Sequence, residues 1–218
     1  GTKALNTHGR EETADDKAVT TLFVTPRPAL IGDSVPRRGN AFTRWLARCY
    51  LKLGGWKVIG VVTDAPRFII VGAPHTSNWD FMIVMATAIS LNVRVSWMGK
   101  HTLFDGFGGG FLRWLGGVPV NRNAPEGIVG EKVKAFRESD GLVLCITPEG
   151  TRGDSGEWKT GFHRIAREAD VPILLAAFDY ENRVVWLGPT MEASADLDAD
   201  MTVIRSHSAG LKGRHPQS

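Results

Sequence analysis

Apolar and polar positions along this chain fall into two kinds of block. From Ala41 onward, Phe42, Trp45, Leu46, Cys49, Tyr50, Leu53 and Trp56 recur at helical spacing, which predicts one apolar helix face ended by Gly54-Gly55. Arg44, Arg48 and Lys52, four apart, line an adjacent flank. Beyond this helix, short apolar runs alternate with amphipathic stretches. Strands are predicted over 67–72, 93–98, 118–122, 142–147, 172–179 and 183–187. Helices are predicted over 80–91, 107–115, 127–138, 162–168 and 197–211. This alternation predicts an α/β fold with a largely parallel central sheet flanked by helices, preceded by the N-terminal amphipathic helix.

The first forty residues differ in character. They are polar, carry Pro26, Pro28 and Pro36, and hold one candidate strand, TTLFVT at 20–25. Residues 1–40 are therefore expected to be a partly mobile extension, and 41–218 a single domain.

Charge and cysteine content change the picture little. The formal net charge is +3, too small by itself to indicate nucleic acid, though suited to an anionic surface or substrate if concentrated. Cys49 and Cys145 make no disulfide framework, so a reducing compartment is expected. Cys145 lies in the apolar run GLVLCITP and reads as a small buried hydrophobe rather than a nucleophile. No signal-peptide pattern and no uninterrupted run of about 18 apolar residues is present, so no bilayer-spanning helix is predicted. The basic, aromatic helix from Phe42 to Trp56 fits either an interfacial membrane helix or one packed on its own domain. His101, His163, His207 and His215 are scattered, and no motif has metal-ligand spacing.

The stretch GAPHTSNWDF (72–81) carries the candidate chemistry. In parallel α/β sheets, ligands gather where strands end and helices begin, and His75 falls at such a seam. Asp80 falls in the first turn of the following helix. Were both residues helical, five positions would turn them about 140° apart. With His75 in the loop, the chain can fold back so that Asp80 meets the imidazole, fixes its tautomer and steadies its charged form. The other ring nitrogen is then a general base. The competing reading is a helix start, Ser77-x-x-Asp80, with Asp80 serving the helix dipole.

Two more loops follow strands. GGVPVNR sets Arg122 past one, and TPEGTR sets Glu149, Gly150, Thr151 and Arg152 past another. With Lys100 after a third strand, these cations form a candidate anion pocket beside His75. Arginine's planar fork suits phosphate oxygens, and Gly150 permits close backbone approach. Taken singly, each arginine also fits a solvated surface position and PEGT a plain turn.

Together, His75-Thr76-Ser77-Asn78-Trp79-Asp80, Gly117 to Arg122, Pro148 to Arg152 and Val171-Pro172-Ile173 resemble the four ordered blocks of the glycerolipid acyltransferase family. The stretch from Lys100 to Arg122 resembles the segment joining that family's first two blocks, and WKTGF, with Lys159 and Gly161, the segment after the third. The resemblance implies acyl transfer from acyl-CoA or acyl carrier protein to the hydroxyl of a lysophospholipid, with no cofactor and no metal. It implies His75 as base, Asp80 as its orienting partner, and Arg122 and Arg152 on the acceptor phosphate. Lys100 and Lys159 become further candidates for that phosphate, and Glu149 for the acceptor hydroxyls. Gly150 would lend a backbone N–H to the oxyanion, and Thr151 completes that binding loop. The expected partners are the two substrates and a membrane surface, at the cytoplasmic face of the cell membrane, with no nucleic acid. Pro74, Thr102 and Leu175 depart from the family pattern, which leaves the acceptor more open than the reaction. The alternatives are a hydroxylated acceptor without phosphate, a thioesterase in which water replaces the acceptor, and a non-enzymatic lipid-binding module.

Overall fold

The computed structural model describes residues 31, 33–73, 78–120, 127–148 and 158–209. The candidate strand at 20–25 and the predicted helix end at Leu211 lie outside them. In chain order the elements are α1 (Ala41–Leu53), β1 (Lys57–Gly60), β2 (Arg67–Ala73), α2 (Asn78–Ser90), β3 (Val95–Lys100), α3 (Gly109–Trp114), β4 (Gly117–Val120), α4 (Gly127–Glu138), β5 (Leu142–Ile146), α5 (Gly161–Ala169), β6 (Ile173–Asp179), β7 (Val184–Met191) and α6 (Leu197–Ser208).

The strands make one seven-stranded sheet in the order β1-β7-β6-β2-β5-β3-β4. The neighbours β6, β2, β5, β3 and β4 all run parallel, whereas β7 runs antiparallel to β6 and carries β1 with it. The fold is thus the expected α/β architecture with a mostly parallel sheet. Strand β2 shows why its sequence is an unbroken apolar run: both its faces are covered. Phe68 joins one apolar cluster with Ile83 and Met85 of α2 and Leu51 of α1. The next residue, Ile69, joins a second cluster with Phe136 of α4, Ile165 of α5 and Ile204 of α6. Helices α1 and α2 therefore cover one face, and α4, α5 and α6 the other. Pro119, which cannot donate a ladder bond, is confined to the edge strand β4.

Helix α1 begins at a capping box. Asn40 Oδ1 accepts from the Thr43 N–H at 2.9 Å, and Thr43 Oγ1 accepts from the Asn40 N–H at 2.9 Å. The helix packs on α2 through Ala47 and Leu51, and the Arg48 guanidinium reaches the Ser90 carbonyl at 3.5 Å. Its predicted apolar face points the other way: Phe42 is 66% exposed, Trp45 58% and Leu53 89%. Trp56 corrects the predicted face. Gly55, at φ +71°, breaks the helix before it, and the Trp56 ring turns inward to 8% exposure. The packed region also reaches back past Ala41, because Ile31 and Val35 are buried in the first cluster. Strand β1, too short and mixed to be predicted, pairs with β7 from Lys57↔Val184 to Gly60↔Leu187.

Candidate functional site

The carboxy ends of the five parallel strands fall at Ala73, Lys100, Val120, Ile146 and Asp179, along one edge of the sheet. Lys100 is itself one of these ends, and every other site residue predicted from sequence comes after one in the chain. Asp80, Lys100 and Lys159 are among the described residues. His75, Arg122, Glu149, Gly150, Thr151 and Arg152 lie outside them.

Asp80 is fully buried at 0% exposure, in the first turn of α2. A carboxylate is almost never so buried without partners. The helix dipole favours a negative charge at this end, and the Tyr180 hydroxyl donates a hydrogen bond to Asp80 Oδ1. Tyr180 directly follows β6, and its ring meets the Trp56 ring edge-on, with centroids 4.9 Å apart at 89°. Sequence reasoning missed Tyr180. Its one legible signal was position, a polar aromatic residue immediately after a buried strand.

Lys100 is exposed at the end of β3, in register with Val120 of β4. That pairing sets Lys100 beside the strand that leads, two residues on, to Arg122. The turn entering β4 requires glycine: Gly116 has φ +92°, and a Cβ there would lie 2.0 Å from the Val95 carbonyl oxygen. Lys159 is exposed, and its backbone N–H donates to the Pro148 carbonyl at 2.8 Å. This bond closes the base of the segment 149–157 that holds the third block of predicted residues. Beside it, Trp158 packs on the second cluster, with the Arg205 guanidinium 5.8 Å from its ring.

An apolar cavity of about 50 Å³ lies between α2 and the sheet, lined by Gly72, Val84, Thr87, Cys145, Ala176 and Phe178 among others. Burial pushes the Cys145 thiol up to about 12, so it carries no thiolate near neutral pH. The Thr87 hydroxyl oxygen is buried, with no hydrogen-bond partner among the described residues. Behind the edge, His163 Nε2 and Asp200 Oδ2 are 2.8 Å apart and buried. Asp200 Oδ2 also accepts from the Ser194 N–H at 2.6 Å. No group of three or more His, Cys, Asp or Glu side chains suited to a metal ion occurs among the described residues.

Residues 60–178 match the family model described as Acyltransferase. No curated protein matches the chain. Its fold is shared with the crystal structure of the 1-acyl-sn-glycerophosphate (LPA) acyltransferase, PlsC, from Thermotoga maritima, at a TM-score of 0.55 and 15% identity, over 81% of this chain and 80% of that one. With the model spanning more than half of its 218 residues, from the end of β1 into β6, this chain belongs to the acyltransferase family.

Proposed function

We propose that the chain moves a fatty acyl group from a thioester, acyl-CoA or acyl carrier protein, to the hydroxyl of a lysophospholipid acceptor. His75 takes the hydroxyl proton, and the alkoxide oxygen attacks the thioester carbonyl. The tetrahedral intermediate collapses with loss of the C–S bond, and the thiolate leaves with the proton held by His75. Asp80 orients the imidazole. Arg122 and Arg152 hold the acceptor phosphate, with Lys100 and Lys159 on its periphery. Glu149 meets the acceptor's hydroxyl groups, and the Gly150–Thr151 backbone approaches the oxyanion. The observation that carries this reading is the wholly buried Asp80 carboxylate, at the helix start just beyond β2.

The substrates are amphiphiles, so the reading includes contact with a bilayer surface. It is supported by two outward aromatic helices. In α1, Phe42 and Trp45 stack with centroids 6.0 Å apart, and in α3, Phe111 and Trp114 stack at 5.8 Å. All four are exposed, as is Phe107 ahead of α3. Thr43 and Trp114 line one small cavity, so the two helices adjoin. Arg38 and Arg94 stand close enough that, after burial, the Arg94 charge is the second cause lowering the Arg38 pKa. Such a pair favours an anionic surface. No helix among the described residues is long and apolar enough to cross a membrane, which suits peripheral attachment.

The test is an acceptor screen with one labelled acyl thioester and products identified by mass. Transfer to a lysophospholipid is expected. Equal transfer to acceptors without phosphate, or thiol release that never depends on an added acceptor, would replace this reading with another acceptor class or a thioesterase.

A further inference from the structure

Asp80 has one partner foreseen from its motif, His75, and a second that the motif does not contain. The second comes from a position 100 residues further along the chain: the Tyr180 hydroxyl bonded to Asp80 Oδ1. Three features hold that hydroxyl in place. The Tyr180 ring lies edge-on against the buried Trp56. The turn that carries it is tied by Asp179, whose carboxylate accepts from the Asn182 N–H at 3.1 Å and from its Nδ2 at 2.7 Å. The same turn is fixed to the α1–β1 connection, where Arg183 Nη1 donates to the Gly54 carbonyl at 2.8 Å and the Lys57 N–H donates to the Arg183 carbonyl at 2.8 Å. The phenol is therefore set before any substrate arrives.

A hydrogen bond to a carboxylate stabilises its ionised form. In a fully buried group this offsets the desolvation that would otherwise favour the neutral acid. It also fixes the plane of the carboxylate. The phenol fixes the carboxylate at one of its two oxygens, Oδ1. We propose that Tyr180 is a positioning residue for acyl transfer: it holds the Asp80 carboxylate aligned, and acts through Asp80 on His75 without touching substrate. This rests on the function proposed above. It differs from a purely structural tie between α2 and the end of β6 in one respect. A tie contributes to stability alone, whereas a positioning residue contributes to the transition state.

The experiment compares Tyr180→Phe with the unaltered chain and with Asp80→Asn, the double variant and His75→Ala. The probes are oleoyl-CoA and oleoyl lysophosphatidic acid. Phenylalanine keeps the ring against Trp56. We expect kcat to fall roughly tenfold, in line with loss of one hydrogen bond to a charged group, with KM for both substrates within about twofold. In the Asp80→Asn background the same substitution should cost nothing further. A second readout needs no turnover. The chain holds two tyrosines, Tyr50 and Tyr180, so fluorotyrosine labelling gives two resonances, and Asp80→Asn should move one of them alone. Undiminished kcat in Tyr180→Phe beside an inactive His75→Ala overturns the role of Tyr180 and leaves the proposed function standing. So do full additivity in the double variant and two unmoved fluorine resonances. Undiminished transfer by His75→Ala overturns the role of His75 as base, whereas no transfer by the unaltered chain overturns the proposed function itself.

Discussion

The guanidinium of Arg38 lies 5.0 Å over the Trp114 ring and joins the approach to α1 to the end of α3. Through this contact two outward aromatic helices, separated in sequence by β1, β2, α2 and β3, meet on one side of the molecule. The first prediction concerns that side. Trp45→Ser and Phe111→Ser should each weaken sedimentation with phosphatidylglycerol-containing vesicles about tenfold, the order expected for losing part of one aromatic side chain's burial. High salt should weaken it further. Trp56→Ser, altering a core residue, should lower the melting temperature instead. Equal vesicle binding by all variants would remove the bilayer contact from the account.

The cavity under α2 gives a second prediction. Thr87 presents a buried hydroxyl oxygen that finds no partner among the described residues. Thr87→Val keeps the shape and removes that polar atom, so it should raise stability by about 1 kcal/mol in urea unfolding. Thr87→Leu, larger than the space of about 50 Å³ beside it readily accepts, should instead lower stability in the same measurement. Equal stability of both variants and the unaltered chain would mean that the Thr87 hydroxyl is satisfied and the site can expand.

The buried pair behind the site predicts a pH dependence. Burial pushes the Asp200 carboxyl up, but hydrogen bonds from His163 and Ser194 outweigh it and hold the group below its usual 3.8. A carboxyl depressed in the folded state contributes stability above its unfolded pKa and loses it as pH falls through the folded value. Asp200→Asn should therefore melt below the unaltered chain at neutral pH. The difference should shrink once pH drops under 3.8. A difference independent of pH would mean that the pair contributes by packing alone.

Cys145 supplies a negative expectation. With its thiol pushed up to about 12, Cys145→Ala should keep transfer within a few-fold of the original, and iodoacetamide should react slowly at neutral pH. Loss of transfer together with a trapped acyl-thioester on the unaltered chain would put a covalent step in place of direct attack.

Much of this was legible in the sequence, for physical reasons that differ by element. Strands β2, β5 and β6 are covered on both faces and so appear as unbroken apolar runs, and α2 follows β2 at the expected seam. The periodicity of α1 was legible, but its orientation was not. An apolar stripe gives spacing and says nothing about whether it faces core or solvent, and here Phe42 and Trp45 face outward. Trp56 continued the stripe by number, yet the glycine turn sends it into the core. Tyr180 reaches Asp80 through β6 and the turn beyond it, a contact set by strand order, which no local pattern encodes. The Pro148–Lys159 bond that closes the third loop is of the same kind.

The central claim is that His75, oriented by the buried Asp80, deprotonates the acceptor hydroxyl. It is tested most directly by single-turnover acyl transfer in His75→Ala, with circular dichroism and melting to establish that the variant folds. The account predicts a folded protein whose transfer rate falls by about 10²–10⁴-fold, the usual contribution of general-base assistance. A folded His75→Ala chain that transfers acyl groups at the original rate would contradict it.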